Sequence, residues 1–124
     1  MTLSQRSLRL GLAMSVLMFG CVATYVAAHA APRAKVIDMT AKRFDYAPAH
    51  LTLKKGQPVL LKLRTKDVVM GFNLPDFNVR ADIVPDKVAQ VQFIPDKTGT
   101  FTFVCDIFCG EGHERMQGTV TVID

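Results

Sequence analysis

Short runs of alternating apolar and polar residues, separated by turn-forming residues, dominate the chain after about residue 30. Val59, Leu61 and Leu63 would lie on one face of an extended segment. Lys62 and Arg64 would lie on the other face. A period of two residues is that of a half-buried β-strand, and no stretch of this region has a sustained helical period. The sequence therefore predicts an all-β domain.

Seven strands are predicted from runs of this kind, with proline, glycine or aspartate in most of the connections between them. The predicted strands are Lys35–Thr40, Leu51–Leu53, Val59–Thr65, Gly71–Leu74, Val88–Ile94, Thr100–Cys105 and Gly118–Ile123. Strands this short, broken by turns at this spacing, are typical of two antiparallel sheets packed face to face. A β-sandwich is therefore the predicted architecture.

The N-terminus carries a hydrophobic export segment. Residues 10–28 are uncharged and mostly apolar, follow two arginines and precede the small-residue sequence Ala28-His29-Ala30. This pattern predicts either a signal peptide cleaved after Ala30 or an uncleaved membrane anchor, because its length nearly suffices to cross a bilayer as a helix. We therefore assign residues 1–30 to the leader and residues 31–124 to one domain that is periplasmic or otherwise outside the cytoplasm, either soluble or anchored to the membrane at its N-terminus.

The charge balance excludes one class of partner. Two of the 15 basic residues, Arg6 and Arg9, lie in the leader and none of the 11 acidic residues does, so the formal charge of +4 falls to +2 in the mature chain. The remaining bases are scattered through the predicted strands, which is typical of a solvated sheet face. Nothing here indicates binding to nucleic acid.

Four sulfur and nitrogen donors fall within twelve residues near the C-terminus. They are Cys105, Cys109, His113 and Met116, in the connection between the last two predicted strands. Thiolate and thioether sulfur prefer Cu(I), and imidazole suits copper as well, so a mixed set of these donors can hold the metal through a change of oxidation state. Copper is the predicted metal.

Three other interpretations of these residues remain open. A disulfide between Cys105 and Cys109 would close a short loop and add little stability on the entropic account. Zinc binds cysteine and histidine, but its structural sites are usually completed by stronger ligands than a thioether. Cys109, His113 and Met116 alone would match a mononuclear blue-copper loop, which needs one further histidine and leaves Cys105 unexplained.

The spacing Cys-x3-Cys-x3-His-x2-Met resembles the binuclear copper A (CuA) loop of cytochrome c oxidase subunit II and of nitrous oxide reductase. The similarity covers most of residues 44–122 and is carried by segments 67–72, 82–85, 96–99 and 116–118 in addition to the loop. It implies a cupredoxin-like Greek-key β-sandwich. It also implies a cofactor of two copper ions, with a single ion as the alternative.

The resemblance implies a role for each residue of the loop. By position, the sulfurs of Cys105 and Cys109 would bridge the two ions, and His113 would bind one of them. Met116 would be a weak ligand, and the backbone carbonyl of Ile107 another. Ile107 stands where oxidase subunits have a glutamate, and the chain has no tryptophan for electron entry from cytochrome c.

Met70 is the main departure from the family pattern, because it stands in the segment where the family has its second histidine ligand. If Met70 binds copper, the softer ligand set favours the reduced state and raises the potential. If it does not, it packs in the core, as methionine often does. His50, the other histidine of the mature chain, is predicted to be solvent-exposed.

Two functions follow from these residues. The first is one-electron transfer by an exported copper protein whose partner is another redox protein. The second is Cu(I) handling, meaning delivery, storage or tolerance, with a copper-accepting protein as partner. An enzyme is not predicted, because no nucleophile pair, acid–base pair or second metal centre accompanies the loop.

Overall fold

The computed structural model describes residues 27–124. This part of the chain contains nine β-strands and two three-residue 3₁₀ turns. The strands are β1 (Lys35–Lys42), β2 (Asp45–Ala47), β3 (His50–Lys54), β4 (Val59–Thr65), β5 (Met70–Leu74), β6 (Val79–Ile83), β7 (Ala89–Phe93), β8 (Gly99–Val104) and β9 (Gln117–Ile123). The 3₁₀ turns are Pro75–Phe77 and His113–Arg115.

The strands form two sheets that pack face to face. One sheet has the order β2-β1-β4-β7 and the other β3-β9-β8-β5-β6. The pairs β1–β4 and β3–β9 are parallel and the other pairs are antiparallel. Because strands that are neighbours in a sheet are often distant in sequence, the chain crosses repeatedly between the two layers, as in a Greek key. The predicted all-β sandwich is confirmed.

Alternating residues of both sheets fill the space between them. Leu61 and Leu63 of β4 are fully buried, as are Phe72 and Leu74 of β5 in the other sheet, while Lys62 and Arg64 are directed outward. This is the arrangement that the period-two pattern predicts. At one end, the same apolar cluster continues into sulfur-bearing side chains: Met70, Cys105, Cys109 and Met116.

All seven predicted strands are present, with ends that differ by up to two residues. Two further strands, β2 and β6, were missed. β2 has three residues and a single buried one, Tyr46, so it carries almost no periodicity of its own. β6 does alternate, with Val79, Ala81 and Ile83 set against Arg80 and Asp82, but small and charged residues weaken its apolar signal.

Within residues 27–124, no helix has the length and apolar character needed to cross a membrane. The predicted export segment falls almost entirely outside the described residues, and its assignment as a leader stays a prediction.

Candidate metal centre

The loop between β8 and β9, residues 105–116, gathers the predicted ligands at one end of the sandwich. Its base is closed by a hydrogen bond from the Cys105 amide to the Met116 carbonyl, with a donor–acceptor distance of 3.1 Å. A 3₁₀ turn precedes Met116, whose amide donates to the His113 carbonyl at 3.1 Å. The loop is therefore short and anchored at both ends on paired strands, which fixes where its side chains converge.

Cys109 lies at the centre of the cluster. Its Sγ atom is 4.0 Å from Cys105 Sγ, 3.8 Å from His113 Nδ1 and 3.9 Å from Met116 Sδ. The ligand atoms of Cys105, Cys109 and His113 all lie within 4.8 Å of one another. The structure thus brings together four donors that are separate in sequence.

These spacings fit a metal ion held between the donors. Two donors bound to one ion at about 2.3 Å each, as for thiolates on zinc, stand roughly 3.8 Å apart at a tetrahedral angle. The donor set of thiols, thioether and imidazole is the one that copper prefers. Both cysteines are free thiols, so the disulfide considered from the sequence is not formed here.

The sulfur donors are enclosed and the histidine is not. Cys105, Cys109 and Met116 are buried, whereas His113 is half-buried beside the exposed ring of Phe108. Burial, and to a smaller extent the neighbouring Cys105, raises the pKa of the Cys109 thiol to about 11. Near neutral pH this thiol carries a proton that a metal must displace, so metal uptake is favoured as the pH rises.

The Ile107 carbonyl also faces the cluster. Its oxygen lies 3.2 Å from Cys105 Sγ, which donates a hydrogen bond to it. A carbonyl in this position is available as a further ligand, as the resemblance implies for Ile107.

Met70 is the first residue of β5 and has no exposed surface. The next residue along the strand, Gly71, donates its amide hydrogen to Cys105 Sγ at 3.4 Å, so Met70 enters the core beside the cluster. Both the ligand and the packing interpretations expect this burial, and the role of Met70 stays a prediction. His50 is exposed, as predicted, and its Nδ1 atom lies 2.8 Å from Thr119 Oγ1.

Known proteins share this sequence pattern and this fold. A family model described as a cupredoxin-like domain matches residues 12–122 of the chain. The chain belongs to the cupredoxin-like family. The match covers nearly the whole sequence.

Relatives of this cupredoxin include proteins that carry CuA domains. It is 28% identical to cytochrome c oxidase subunit 2 of Thermus thermophilus over an aligned stretch of 91 residues. That alignment covers 73% of this chain and 67% of that protein. Over 90 residues it is 31% identical to nitrous-oxide reductase of Ralstonia nicotianae, covering 69% of this chain but 14% of that enzyme. The resemblance inferred from the loop is thereby confirmed as homology.

A solved structure supports the fold independently. The periplasmic domain of subunit II of cytochrome oxidase from Bradyrhizobium japonicum superposes with a TM-score of 0.68 at 21% identity, covering 76% of this chain and 88% of that domain. At this level of identity the likeness establishes the sandwich alone. Cupredoxin homologues bind copper, and the donor cluster of this cupredoxin has the chemistry to do the same.

Sequence reasoning missed an ion-pair network that ties the loop of this cupredoxin to β6. Arg80 binds the Asp106 carboxylate through Nε and Nη2, and its Nη1 atom lies 2.7 Å from Asp82 Oδ1. The Asp106 carboxylate is therefore neutralised by Arg80 within the same domain, and the alternation in β6 was the signal that could have revealed this pair.

A second missed contact comes from the turn between β1 and β2. Arg43 binds Asp67 through its backbone amide at 3.0 Å and its guanidinium at 2.9 Å, and these contacts lower the pKa of the Asp67 carboxyl. The adjacent Phe44 ring lies against Gly110 and Gly112 of the β8–β9 loop. The turn therefore packs against the loop from the side of the opposite sheet.

We expect Gly112→Ala to loosen this packing and to weaken copper binding by about tenfold. This is the lower end of the loss in affinity seen when residues that support the ligands of a metal site are replaced. A Cβ at residue 112 would overlap the Phe44 ring, so either the loop or the ring must move. Competition with a Cu(I) chelator measures the change. The double variant Gly112→Ala/Phe44→Leu should recover part of the affinity, because it relieves the overlap. Additive losses in the double variant would contradict this contact.

Proposed function

We propose that this protein is an exported copper cupredoxin that transfers single electrons through a CuA-like site holding two copper ions. Its ligands are Cys105, Cys109, His113 and Met116, with Met70 and the Ile107 carbonyl completing the set. Copper bound there supplies a one-electron redox couple. The central position of Cys109 Sγ, within 4.0 Å of Cys105 Sγ, Met116 Sδ and His113 Nδ1, is the observation that carries this proposal.

The scaffold suits electron transfer because it limits movement of the ligands. The two cysteines and Met116 are buried against a packed core, and both ends of the loop continue into paired strands. Ligands that are held this firmly change little when the metal is oxidised or reduced, which keeps the reorganisation small. Exclusion of water from the sulfurs has the same effect.

The exposed edge of the site favours a protein redox partner. Phe108 lies between the two cysteines in sequence, is 76% exposed, and its ring centroid is 5.7 Å from that of His113. An exposed aromatic residue is a typical anchor at a protein interface. A partner docked on Phe108 would come close to the His113 imidazole, which gives a short path for the electron.

The location and assembly of the protein complete the proposal. Residues 1–30 direct export, as a signal peptide or as an anchor through residues 10–28, and residues 31–124 act in the periplasm. The domain of Bradyrhizobium japonicum subunit II that shares this fold is itself periplasmic. The cupredoxin is not catalytic by itself, and any reaction takes place in an oxidoreductase that it serves.

Cu(I) handling is the second candidate function, and Met70 is the observation that favours it. If the Met70 thioether completes the site, the donors comprise two thiols, two thioethers and one imidazole, a set soft enough to retain Cu(I). Such a protein would pass copper to an accepting protein rather than pass electrons.

Loading the purified protein with copper separates the two functions. Electron transfer through a binuclear site predicts two ions per chain and paramagnetic hyperfine splitting from two equivalent copper nuclei. Copper handling predicts a colourless Cu(I) form that resists oxidation. A protein that binds no copper after reduction of its thiols would contradict both.

We expect Met70→Leu to change these spectra and to lower the reduction potential, because it removes a soft ligand. Met39→Leu is the matched control, since Met39 is equally buried but lies on β1 in the other sheet. Identical spectra for Met70→Leu and wild type would show that Met70 only packs in the core.

A further inference from the structure

At the metal end of the sandwich, β5 remains paired with β6 on one side but loses its partner β8 on the other. β8 ends at Val104, which pairs with Asn73 of β5. Continued in the same antiparallel register, Asp106 would lie opposite Gly71. The chain turns into the β8–β9 loop instead, and the edge of β5 at Gly71 has no strand to pair with.

Two side chains take the place of the missing strand. The Gly71 amide hydrogen is donated to Cys105 Sγ at 3.4 Å, and the Gly71 carbonyl accepts a hydrogen bond from the Tyr46 hydroxyl at 2.6 Å. In an antiparallel sheet the N–H and C=O of one residue point to the same edge. Both bonds therefore lie on the edge that β8 has vacated, and together they satisfy the backbone of Gly71.

Tyr46 reaches this position from the opposite sheet. It is the one buried residue of β2, at 2% exposure, and its ring packs edge-on against Phe103 and Phe72, with centroids 5.1 and 6.3 Å away. The buried Tyr46 hydroxyl therefore needs a partner inside the protein, and it finds one by donating to the Gly71 carbonyl.

Residue 71 must also be small. A Cβ at this position would overlap the Asp106 carboxylate, which is held there by Arg80. The Asp106 carboxylate therefore covers one side of Gly71, while Tyr46 and Cys105 bind its backbone edge. Gly71 is consequently confined on several sides by groups from β2, β6 and the β8–β9 loop.

We propose that Tyr46 is a positioning residue for the copper site, which holds the Gly71 peptide so that its N–H stays directed at Cys105 Sγ. This inference rests on the proposed copper function. A hydrogen bond to a thiolate draws electron density from the sulfur and stabilises the reduced, more negative site over the oxidised one. Tyr46 thereby tunes the reduction potential without touching the metal.

Tyr46→Phe tests this role, because it removes the hydroxyl and keeps the ring. In the metal-free protein, hydrogen exchange measured by NMR should be about tenfold faster at the Gly71 amide, with buried amides of β9 unchanged, as expected for loss of one hydrogen bond of about 1.4 kcal/mol. In the copper-loaded protein, the reduction potential should fall and the sulfur-to-copper absorption bands should shift.

Val122→Ala is the matched control, since it destabilises the core at the end of β9 farthest from the loop. In this control, the exchange rate of the Gly71 amide relative to neighbouring amides should be the same as in wild type. The reduction potential and the absorption bands should also be unchanged. Unchanged Gly71 exchange in Tyr46→Phe would overturn the proposal. Faster exchange with an unchanged potential would overturn it too, because the bond would then have no effect on copper.

A failure of the proposed function has a different signature. In that case the wild-type protein would take up no copper through Cys105 and Cys109, whatever residue 46 is. Exchange at Gly71 is measured without metal, so it still decides whether Tyr46 directs this amide to Cys105.

Discussion

Cys109→Ser should abolish tight copper binding, with a loss of affinity greater than the roughly 100-fold seen when outer partners of a metal site are removed. Cys109 Sγ is the atom that lies within 4.0 Å of Cys105, His113 and Met116, so its loss leaves no donor between the others. A serine hydroxyl is a hard donor that stays protonated and is a poor ligand for Cu(I). Competition with a chromogenic Cu(I) chelator under reducing conditions measures the affinity.

Cys105→Ser is the matched comparison for this prediction. It keeps Cys109, His113 and Met116, the three residues that by themselves match a mononuclear blue-copper loop, so we expect it to bind one ion and to lose the two-nucleus spectrum. Circular dichroism should report a folded sandwich for both variants. An affinity of Cys109→Ser within tenfold of wild type would show that copper is held elsewhere and would refute the proposed site.

Gly118→Ala should lower the free energy of unfolding by about 3 kcal/mol. This is the largest loss of stability that we expect from any glycine-to-alanine substitution described here. A Cβ at this position would overlap both the Phe103 ring and the Ala49 carbonyl oxygen. The ring belongs to the packed core and has no exposed surface, and the carbonyl accepts a hydrogen bond from the Thr119 amide at 2.9 Å. Neither neighbour can move without breaking other contacts.

Chemical denaturation of the metal-free protein measures this loss, and it should appear in thermal unfolding as a fall of roughly 10–20 °C in the midpoint. Gly56→Ala provides the control. Gly56 has a positive φ of 80° but open space around its Cβ position, so its substitution should cost about 1 kcal/mol through backbone strain alone. A smaller loss for Gly118→Ala than for Gly56→Ala would contradict the close packing beneath the loop.

The predicted strands were recovered because their signal is local. In β4 and β8 the alternation of large apolar and polar residues is long enough to specify both the extended conformation and the buried face. β2 has three residues and is fixed by its pairing with β1, so no period could reveal it. The strand ends moved by a residue or two because pairing with neighbours, not propensity, decides where a ladder stops.

The donor cluster was predictable for a related reason. The four donors lie within twelve residues between two predicted strands, so they can converge only at the loop that joins these strands. All four can therefore be identified from this one segment of the sequence. The residues around the cluster were not predictable in this way. Phe44 and Arg80 reach the loop from a turn and a strand that precede it by more than twenty residues, and their contacts depend on how the two sheets are stacked.

The sequence by itself determined the sandwich, the loop and the copper-preferring chemistry of its side chains, since periodicity and donor type are properties of short segments. Only the tertiary structure decided what surrounds Cys105. It placed Tyr46 of one sheet against Gly71 of the other, and it put the Gly71 amide on the sulfur at the point where β8 stops. These contacts join residues 25 and 34 positions apart in the chain, and they exist because packing of the two layers brings their edges together.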